Sequence, residues 1–374
     1  MIPVTKPFMP PKEEYLEYLD GIWEREYLTN NGPLVRQLEK ELKDYLKVPN
    51  ILYVSNGTIA LQIAIKALGL KGEVITTPFS YVATTSSLVW ENCEPVFVDI
   101  DPETLNIDPN RIEEAITEKT TGILATHVFG NPCDIDAIQA IADKYGLKVI
   151  YDAAHCFAVT YKGRSIYEFG DISTASFHAT KIFHTVEGGA VFTNNVELHK
   201  KMKYMRNFGH AGEESFEGVG INGKNSELHA AMGLANLKYS ERILENRQEL
   251  INHYSELMEG IYSDNPELTM EMQLGNEFAE WNYSYLAVMF EDEVTALRVK
   301  RDMEKEEIYP RRYFYPSLES LDYVRSANVR ISQDIASRIL CLPLYYGMKL
   351  EEIESVCQVM QESLNLVLEQ RKVD

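Results

Sequence analysis

Cysteine is scarce in this sequence, and the few cysteines are spaced neither for disulfides nor for a metal site. The 374 residues contain five of them, with no C-x-x-C pair. An odd number of scattered thiols does not make a disulfide framework, and the spacing fits no zinc site. We therefore expect buried thiols of a reducing compartment, and no metal centre.

Long apolar runs and an excess of positive charge are also missing. No run of about 18 uncharged apolar residues occurs, and the N-terminus lacks the basic and apolar regions of a secretion signal. Lysine and arginine total 36 against 57 aspartates and glutamates, so the net charge is -21. Such a chain has no positive field for nucleic-acid phosphates, although local dipoles can still bind a small anion. These absences predict a cytoplasmic protein with neither a membrane nor a nucleic-acid partner.

What the sequence does contain is a series of short apolar runs that alternate with helical patterns. ILYV (51–54) precedes the helical GTIALQIAIKALGL, and LKVIYDAAH follows the helical DIDAIQAIADKYG, which Asp134 and Gly146 are suited to cap. A further helix is predicted around PNRIEEAI (109–116). Continuous apolar strands between helices are typical of a largely parallel sheet that is buried on both faces. The predicted fold class is therefore α/β.

The pattern changes near residue 240. A long amphipathic helix, SERILENRQELINHYSELMEGIY, is followed by fewer strands and by a closing helix at 349–371. We predict a large α/β domain over residues 1–245 and a smaller C-terminal α+β domain over 246–374, with the N-terminal segment available to complete the smaller one.

Residues that follow the predicted strands are the candidates for a site, because open α/β sheets bind ligands at the carboxyl ends of their strands. SNGT (55–58) follows a strand and begins a helix, where the backbone amides and the Thr58 hydroxyl favour an anion such as phosphate. The same residue types are also ordinary helix caps. Asp152 ends another strand, where it either caps the next turn or pairs with a protonated group of a ligand, since an unpaired buried carboxylate is costly.

Lys181 is the one lysine of SFHATKIFHTVEGGAVF (176–192), between two further predicted strands. Partial burial would lower the pKa of its amine and suit it to form a Schiff base with a carbonyl compound. His178 and His184 flank it at a spacing that matches no common metal motif.

Two aromatic residues complete the set. Phe79 and Tyr81 follow another strand, where an aromatic ring is either core or a plate for a flat ligand ring. A phosphate cradle, an aromatic plate, a carboxylate for a ring nitrogen and a lysine for an aldehyde are together what pyridoxal 5'-phosphate requires.

A series of segments, in order along the chain, makes the sequence similar to the DegT/DnrJ/EryC1/StrS family of sugar aminotransferases. They include VSNGTIALQIAIKAL, GEVITTPFSYVATTSSLVWENCEPVFVDID, THVFGNPCDID, VIYDAAH, SFHATKIFHTVEGGAVFTN and NGKNSELHAAMGLANL. The resemblance implies the type I aspartate-aminotransferase fold and a pyridoxal phosphate cofactor. It also implies transamination, because relatives that act as dehydratases carry histidine in place of the lysine.

The resemblance further implies a role for each matching residue. Lys181 corresponds to the lysine that holds the cofactor and shuttles a proton, and Asp152 to the acid that keeps the ring nitrogen protonated. His155 corresponds to the residue beside the ring, and Tyr81 to the stacking aromatic. The implied phosphate ligands are Gly57, Thr58 and Ser176.

A residue of the neighbouring subunit, from a GxNxR motif, also reaches the phosphate in this family. The resemblance therefore implies a homodimer with shared active sites. This sequence has GINGKN (220–225) instead, with Asn222 present, Lys224 in place of arginine, and an extra Asn225. Which of the three makes the contact is left open.

The resemblance implies L-glutamate as the amino donor, with 2-oxoglutarate as its product, and a nucleotide-linked keto-6-deoxyhexose as the acceptor. IPVTKPFMPP, RRYFYPSL and ILCLPLYYGM resemble the subgroup that acts on dTDP-sugars, which favours amination at C4 of dTDP-4-keto-6-deoxy-D-glucose. A 3-keto sugar, or a UDP- or GDP-linked 4-ketosugar, is the alternative. Arg311 and Tyr313 are candidates for sugar or pyrophosphate contacts, although adjacent arginines on a loop are as often plain surface.

Overall fold

The computed structural model describes residues 1–264, 267 and 270–371 of the chain. Its strands are β1 (Ile2–Pro3), β2 (Ile51–Val54), β3 (Gly72–Thr76), β4 (Cys93–Phe97), β5 (Thr120–Thr126), β6 (Lys148–Asp152), β7 (Thr160–Tyr161), β8 (Arg164–Ser165), β9 (Ile172–Ser176), β10 (Gly189–Phe192), β11 (Met270–Met272), β12 (Ala279–Glu280), β13 (Leu286–Phe290), β14 (Ile308–Tyr309) and β15 (Ile339–Leu342). Its α-helices are α1 (Lys12–Arg25), α2 (Pro33–Leu46), α3 (Gly57–Leu68), α4 (Val82–Trp90), α5 (Ile135–Tyr145), α6 (Val196–Arg206), α7 (Glu227–Leu237), α8 (Ser240–Asp264), α9 (Glu293–Lys305), α10 (Arg330–Arg338) and α11 (Leu350–Arg371). Within the described residues, none of these helices has both the length and the apolar character needed to cross a bilayer.

A sheet of seven strands forms the centre of the larger part, in the order β2-β10-β9-β6-β5-β3-β4. The last five strands of this order are parallel, whereas β10 is antiparallel to both of its neighbours. Successive side chains of β2 point to opposite faces, and Ile51 and Tyr53 join one core cluster while Leu52 and Val54 join another. Because both faces are covered, the strands are continuous apolar runs, and the predicted α/β class is confirmed.

Helix α5 begins and ends at its predicted capping residues. The Asp134 side chain accepts a hydrogen bond from the amide of Ala137, and Gly146 adopts a φ of 68° while its amide donates to the carbonyl of Ala142. Glycine enters this left-handed region at little cost, which is why it ends helices so often.

The helix predicted around residues 109–116 is wrong. The segment forms two short 3-10 turns, Pro109–Arg111 and Glu113–Ala115. Ile112, between the two turns, is the buried side chain of this segment. Ala115 and Ile116 also pack, partly buried, against the core cluster of Ile112, but the chain becomes extended at Ile116 (ψ 129°), so the segment is too short for a regular α-helix.

The C-terminal part has a sheet and a core of its own. β11, β13 and β15 form an antiparallel sheet, and a cluster that includes Tyr254, Val288 and Met360 joins it to helices α8, α9 and α11. The N-terminal strand β1 pairs with β14, and the amide of Leu344 donates to the carbonyl of Val4. A boundary at residue 245 falls within α8, and the division into domains at that point stays a prediction.

Arg247 of α8 fixes two main-chain segments of the C-terminal part. Its buried guanidinium donates to the main-chain carbonyls of Tyr283, Ser284 and Leu344 at 2.7 to 3.2 Å. Burial lowers the pKa of Arg247 to about 10, so the group is still charged at neutral pH. The Ser284 hydroxyl and the Asn282 amide in turn donate to the carbonyl of His155, at 2.7 and 2.9 Å. The segment that Arg247 fixes therefore fixes the main chain at His155.

The same substitution should act in opposite directions at two glycines of this fold. Gly146 has a φ of 68°, Gly260 lies within α8 without a positive φ, and an added Cβ would meet no atom within 4 Å at either position. Gly146→Ala should lower the free energy of unfolding by about 1 kcal/mol. Gly260→Ala should raise it by roughly 0.5–1 kcal/mol. Urea unfolding followed by circular dichroism measures both, and shifts of the same sign would contradict the left-handed cap.

Candidate active site

A cavity of about 410 Å³ lies at the carboxyl ends of the parallel strands. Residues at or after the ends of five strands line it: Asn56, Ser80, Thr126, Asp152 and Ser176. In the sheet register Thr126 and Thr174 stand on either side of Asp152, on neighbouring strands, and both line the cavity. This is the edge at which open α/β sheets hold their ligands.

Nine of the eleven residues predicted for the site line this cavity. They are Gly57, Thr58, Tyr81, Asp152, His155, Ser176, Lys181, Arg311 and Tyr313. Asn222 and Lys224 do not line it. The sheet therefore brings together residues that are spread over most of the chain.

The N-terminus of α3 forms one wall. The Asn56 side chain caps the helix by accepting from the amide of Ile59 at 2.8 Å, so the cap does not involve the Thr58 hydroxyl. The first amides of a helix have no partner within it and carry the positive end of its dipole, so they suit an anion. A Cβ at Gly57 would lie 3.0 Å from the Cβ of Ser176. Glycine therefore allows these two walls to approach closely.

Lys181 lies in the loop between β9 and β10. Its amide donates to the carbonyl of His178 at 2.9 Å, and its Nζ lies 6.0 Å from the centre of the Tyr285 ring. Desolvation lowers the pKa of Lys181 to about 8, while the negative charge of Asp152 acts in the opposite direction. A substantial fraction of this amine is neutral near pH 8, and a neutral amine is a nucleophile and a base.

Asp152 is buried at the end of β6. The Thr84 hydroxyl donates to its Oδ2 at 2.7 Å, and the amide of Ala154 donates to its Oδ1 at 3.2 Å. Burial raises the pKa of Asp152, and these two hydrogen bonds and the positive charge of Lys181 limit the rise. A protonated nitrogen placed beside this carboxylate would stabilise its charged form.

His155 is buried beside Asp152 with a neutral ring. Burial holds the pKa of His155 well below its usual value of 6.5. Its ring is nearly parallel to those of Phe129 and Phe314, at 9° and 8°. Its Nδ1 has no hydrogen-bond partner within the described part of the chain. An unpartnered buried nitrogen in a cavity wall is suited to a ligand contact.

The structure shows which of the two aromatic residues, Phe79 or Tyr81, and which of the two flanking histidines lines the cavity. Phe79 is fully buried and packs edge-on against Phe129 and Phe314, whereas Tyr81 is 58% exposed and lines the cavity. Tyr81 is therefore the accessible ring. Of the flanking histidines, His178 lines the cavity, and His184 is buried with its Nε2 bonded to the carbonyl of Phe8 at 2.7 Å.

The adjacent arginines also differ. Arg311 lines the cavity, and its Nη1 donates to the Tyr313 hydroxyl at 3.2 Å. Arg312 donates to the Glu293 carboxylate and to the carbonyl of Ser337, both at 2.7 Å. Its guanidinium also covers the Tyr315 ring at 3.6 Å. Arg312 therefore packs within the C-terminal part, and Arg311 is the one that faces the cavity.

No residue of the GINGKN segment lines the cavity of its own chain, although Asn225 contacts the main chain of Glu187, which does line it. The buried Asn225 donates to the Tyr53 hydroxyl and to the carbonyl of Glu187, both at 2.9 Å. Asn222 is exposed, and the Nζ of Lys224 donates to the Asn207 side chain at 2.9 Å. Asn225 and Lys224 thus both bond within their own chain, and Asn222 is the exposed residue of the three.

Sequence reasoning missed several residues of the site. Ser80 and Thr84 lie in the same strand-to-helix segment as Tyr81, and their hydroxyl groups at the end of a strand are the local signal that could have identified them. Tyr285 and Phe314 also line the cavity and come from the C-terminal part; Tyr285 carries no local motif, and Phe314 lies in the RRYFYPSL segment from which only Arg311 and Tyr313 were predicted. Only the packing of the two parts brings them to the site.

The residues of the cavity fit pyridoxal 5'-phosphate. The N-terminus of α3 and the Ser176 hydroxyl suit a phosphate, and Gly57 allows these two groups of donors to lie close together. Asp152 offers a buried carboxylate for a ring nitrogen, and Lys181 an amine of lowered pKa for an aldehyde.

Comparison with known proteins identifies the family. The sequence pattern of the DegT/DnrJ/EryC1/StrS aminotransferase family matches residues 11–361. The chain is similar to a dTDP-4-amino-4,6-dideoxy-D-glucose transaminase of Shigella dysenteriae, with 43% identity over 365 residues, 96% of this chain and 98% of the relative. A protein of the same name from Escherichia coli is 38% identical over 371 residues, again 96% of this chain and 98% of the relative.

A solved structure agrees with this result. The structure of DesI in the presence of its TDP-sugar product matches the chain with a TM-score of 0.90 and 30% identity, and the match covers 100% of this chain and 96% of that one. The family and the cofactor implied by the sequence are therefore confirmed. The chain belongs to the DegT/DnrJ/EryC1/StrS aminotransferase family and is a pyridoxal phosphate-dependent aminotransferase.

Proposed function

We propose that the chain transfers the amino group of L-glutamate to C4 of dTDP-4-keto-6-deoxy-D-glucose, giving dTDP-4-amino-4,6-dideoxy-D-glucose. The observation that carries the amino transfer is that Lys181 and Asp152 share one cavity with the N-terminus of α3. The names of the relatives at 43% and 38% identity support the dTDP-sugar and the C4 position. Amination at C3, or of a UDP- or GDP-linked sugar, is the alternative that product analysis must separate.

The cavity residues divide between the parts of the cofactor. Gly57, Thr58 and Ser176 would hold the phosphate, because helix amides and hydroxyl groups are donors to an anion. Asp152 would hold a proton on the ring nitrogen, and His155 and Tyr81 would contact the flat ring. Pyridoxal phosphate, when bound, supplies an aldehyde for the lysine amine and a ring that accepts electron density from the substrate carbon.

Lys181 is the residue that we assign to proton transfer at the substrate carbon. Desolvation lowers its pKa to about 8, so its Nζ can accept a proton and return it within the working pH range. Once Nζ is protonated, the nearby charge of Asp152 stabilises the ammonium group. The two groups therefore act as a pair.

Arg311 and Tyr313 are the residues that we assign to substrate binding. Both proposed substrates are anions, and the chain as a whole carries a net charge of -21. A local cation must therefore supply the attraction, and the Arg311 guanidinium lines the cavity and can bind a carboxylate or a phosphate. Its bond to the Tyr313 hydroxyl holds it in place.

We further propose a cytoplasmic homodimer with shared active sites. Asn222 or Lys224 of each chain would reach the phosphate in the cavity of its neighbour, which is consistent with their position outside their own cavity. The five buried free cysteines support a reducing compartment.

The two half-reactions should be visible in one sample of holoenzyme. L-Glutamate alone should change the visible absorption spectrum, and dTDP-4-keto-6-deoxy-D-glucose, added after glutamate is removed, should restore it, because the amino group is stored between the two steps. NMR of the product then shows which ring carbon carries the nitrogen. A spectrum that responds to glutamate but not to this sugar would reject the sugar, and the UDP- and GDP-linked analogues would follow.

Lys181→Ala should abolish turnover without unfolding the protein. Loss of a proton-transfer group of this kind costs about 10²- to 10⁴-fold in rate, and loss of the attachment point adds to it. Lys144→Ala is the matched control, since Lys144 is exposed and pairs with Glu113 at 2.8 Å on the surface. Steady-state kinetics and circular dichroism measure both variants, and substantial activity in Lys181→Ala would remove the assignment.

Uptake of pyridoxal phosphate by the apoprotein should depend on pH through Lys181. Only the neutral amine attacks an aldehyde, so the rate should rise with pH around a midpoint of about 8. Asp152→Asn should move this midpoint to lower pH, because the Asp152 charge raises the pKa of Lys181. Stopped-flow absorbance measures the rate. A midpoint at the ordinary lysine value of 10.5 would contradict the desolvated position of the amine.

A further inference from the structure

A row of buried hydroxyl groups ends at Asp152. The Thr84 hydroxyl donates to Asp152 Oδ2 at 2.7 Å. The Ser80 hydroxyl lies 2.7 Å from that of Thr84 and 3.0 Å from that of Thr126. The exposed fractions are 0% for Thr84, 2% for Ser80, 4% for Thr126 and 6% for Asp152. The row is therefore almost free of competition from solvent, although Ser80 and Thr126 also line the cavity.

The ionised carboxylate sets the direction of every hydrogen bond in this row. A carboxylate only accepts hydrogen bonds, and each hydroxyl has one proton to donate. With Asp152 ionised, Thr84 donates to it, the Thr84 oxygen accepts from Ser80, and the Ser80 oxygen accepts from Thr126. If Asp152 were protonated it could donate instead, and the direction of the row would no longer be fixed. The direction of the hydrogen bonds in the row therefore depends on the charge of Asp152.

We propose that Thr84 is a positioning residue which, backed by Ser80 and Thr126, keeps Asp152 ionised and fixed in orientation toward the ring nitrogen of the cofactor. This inference rests on the proposed role of Asp152. Burial works against an ionised carboxylate because the charge loses its hydration. The Thr84 hydroxyl donates its only proton to Asp152, and this hydrogen bond offsets part of the lost hydration. Hydrogen bonds along a chain of hydroxyl groups also strengthen one another.

The titratable groups around Asp152 do not replace this donor. Lys181 lowers the pKa of Asp152 while its amine is free and charged, but in the holoenzyme that amine would be bound to the cofactor aldehyde. Burial raises the pKa values of Cys156 and Tyr167 and lowers that of His155, so all three are neutral near pH 7. Thr84 and the amide of Ala154 are the contacts of the carboxylate that do not titrate.

The test is NMR of holoenzyme reconstituted with pyridoxal phosphate labelled with ¹⁵N in its ring, followed as a function of pH. The ring nitrogen reports whether its partner is a carboxylate or a carboxylic acid. A hydrogen bond to the charged form lowers a pKa, so Thr84→Val should raise that of Asp152. The acid-side midpoint of the shift should move up by about one to two pH units, and the acid limb of kcat should move with it. Thr84→Ser keeps the donor and should restore the original midpoint.

The chain offers a matched control on the same helix. Thr85 is fully buried, and its hydroxyl has no hydrogen-bond partner in the described residues. Thr85→Val makes the same chemical change one residue away and should leave the midpoint where it was. Ser80→Ala leaves Thr84 in place but removes its backing, so it should move the midpoint upward by less than Thr84→Val does. If Thr84→Val fails to bind the cofactor, the midpoint of Ser80→Ala tests the role of the hydroxyl row instead.

Asp152→Asn separates this inference from the one on which it rests. If Asp152→Asn changes the ring-nitrogen shift while Thr84→Val and Ser80→Ala do not, the role of Thr84 is overturned and that of Asp152 stands. If Asp152→Asn also leaves the shift unchanged, the proposed role of Asp152 falls, and that of Thr84 with it. An upward shift in Thr84→Val that Thr85→Val also produces would mean a general effect of the helix, and would likewise overturn the proposal.

Discussion

Desolvation at the carboxyl edge of the sheet is the constraint on which the site depends. It acts in opposite directions on the two central groups, since it raises the pKa of Asp152 and lowers that of Lys181. Both changes favour the neutral forms, and each charge partly reverses the change in the other. The charged and neutral forms of both groups are therefore close in free energy. One additional contact, such as a hydroxyl group or a ring nitrogen, decides which form is present. A wetter cavity would leave both groups ionised and would remove this sensitivity.

The fold creates this dry edge from two parts of the chain. The seven-stranded sheet places Asp152 between two threonines in register, and the helices on both of its faces exclude water from the strands. The C-terminal part closes the cavity with Tyr285 and Phe314. Arg247 fixes Ser284 within the C-terminal part, and the bond from Ser284 to the main chain at His155 ties the two parts together. The chemistry thus requires the packing of both parts, although most of the reactive side chains belong to the first.

The sequence could predict those features that depend on local signals. Asp134 and Gly146 bound α5 because caps are read from a few neighbouring residues. Lys181 and Asp152 could be found because they follow strands, and the carboxyl ends of parallel strands meet at one edge. The helix around residues 109–116 was wrong because the apolar spacing of the segment suits a helix, whereas the chain forms two 3-10 turns and becomes extended at Ile116.

Features that depend on distant contacts could not be predicted. Tyr285 reaches the site through the packing of the C-terminal part and no neighbouring residue marks it, whereas Phe314 adjoins the predicted Tyr313 but its place in the cavity wall depends on the same packing. The use of Asn225 inside its own chain depends on Tyr53, which lies in another element. Thr84 is an intermediate case, since its segment was recognised but its partner, Asp152, lies on a different strand.

The position of β10 has a consequence for how the protein is made. β10 follows the other strands of the seven-stranded sheet in the chain, yet it lies inside the sheet, between β2 and β9. A nascent chain that has emerged only as far as β9 therefore leaves two apolar strands with unpaired edges, and such edges favour association with other chains. The Lys181 loop is closed at both ends only when β10 pairs, since the amide of Phe177 then donates to the carbonyl of Gly188. Synthesis must therefore pass residue 192 before β10 can pair and hold the lysine loop at both ends.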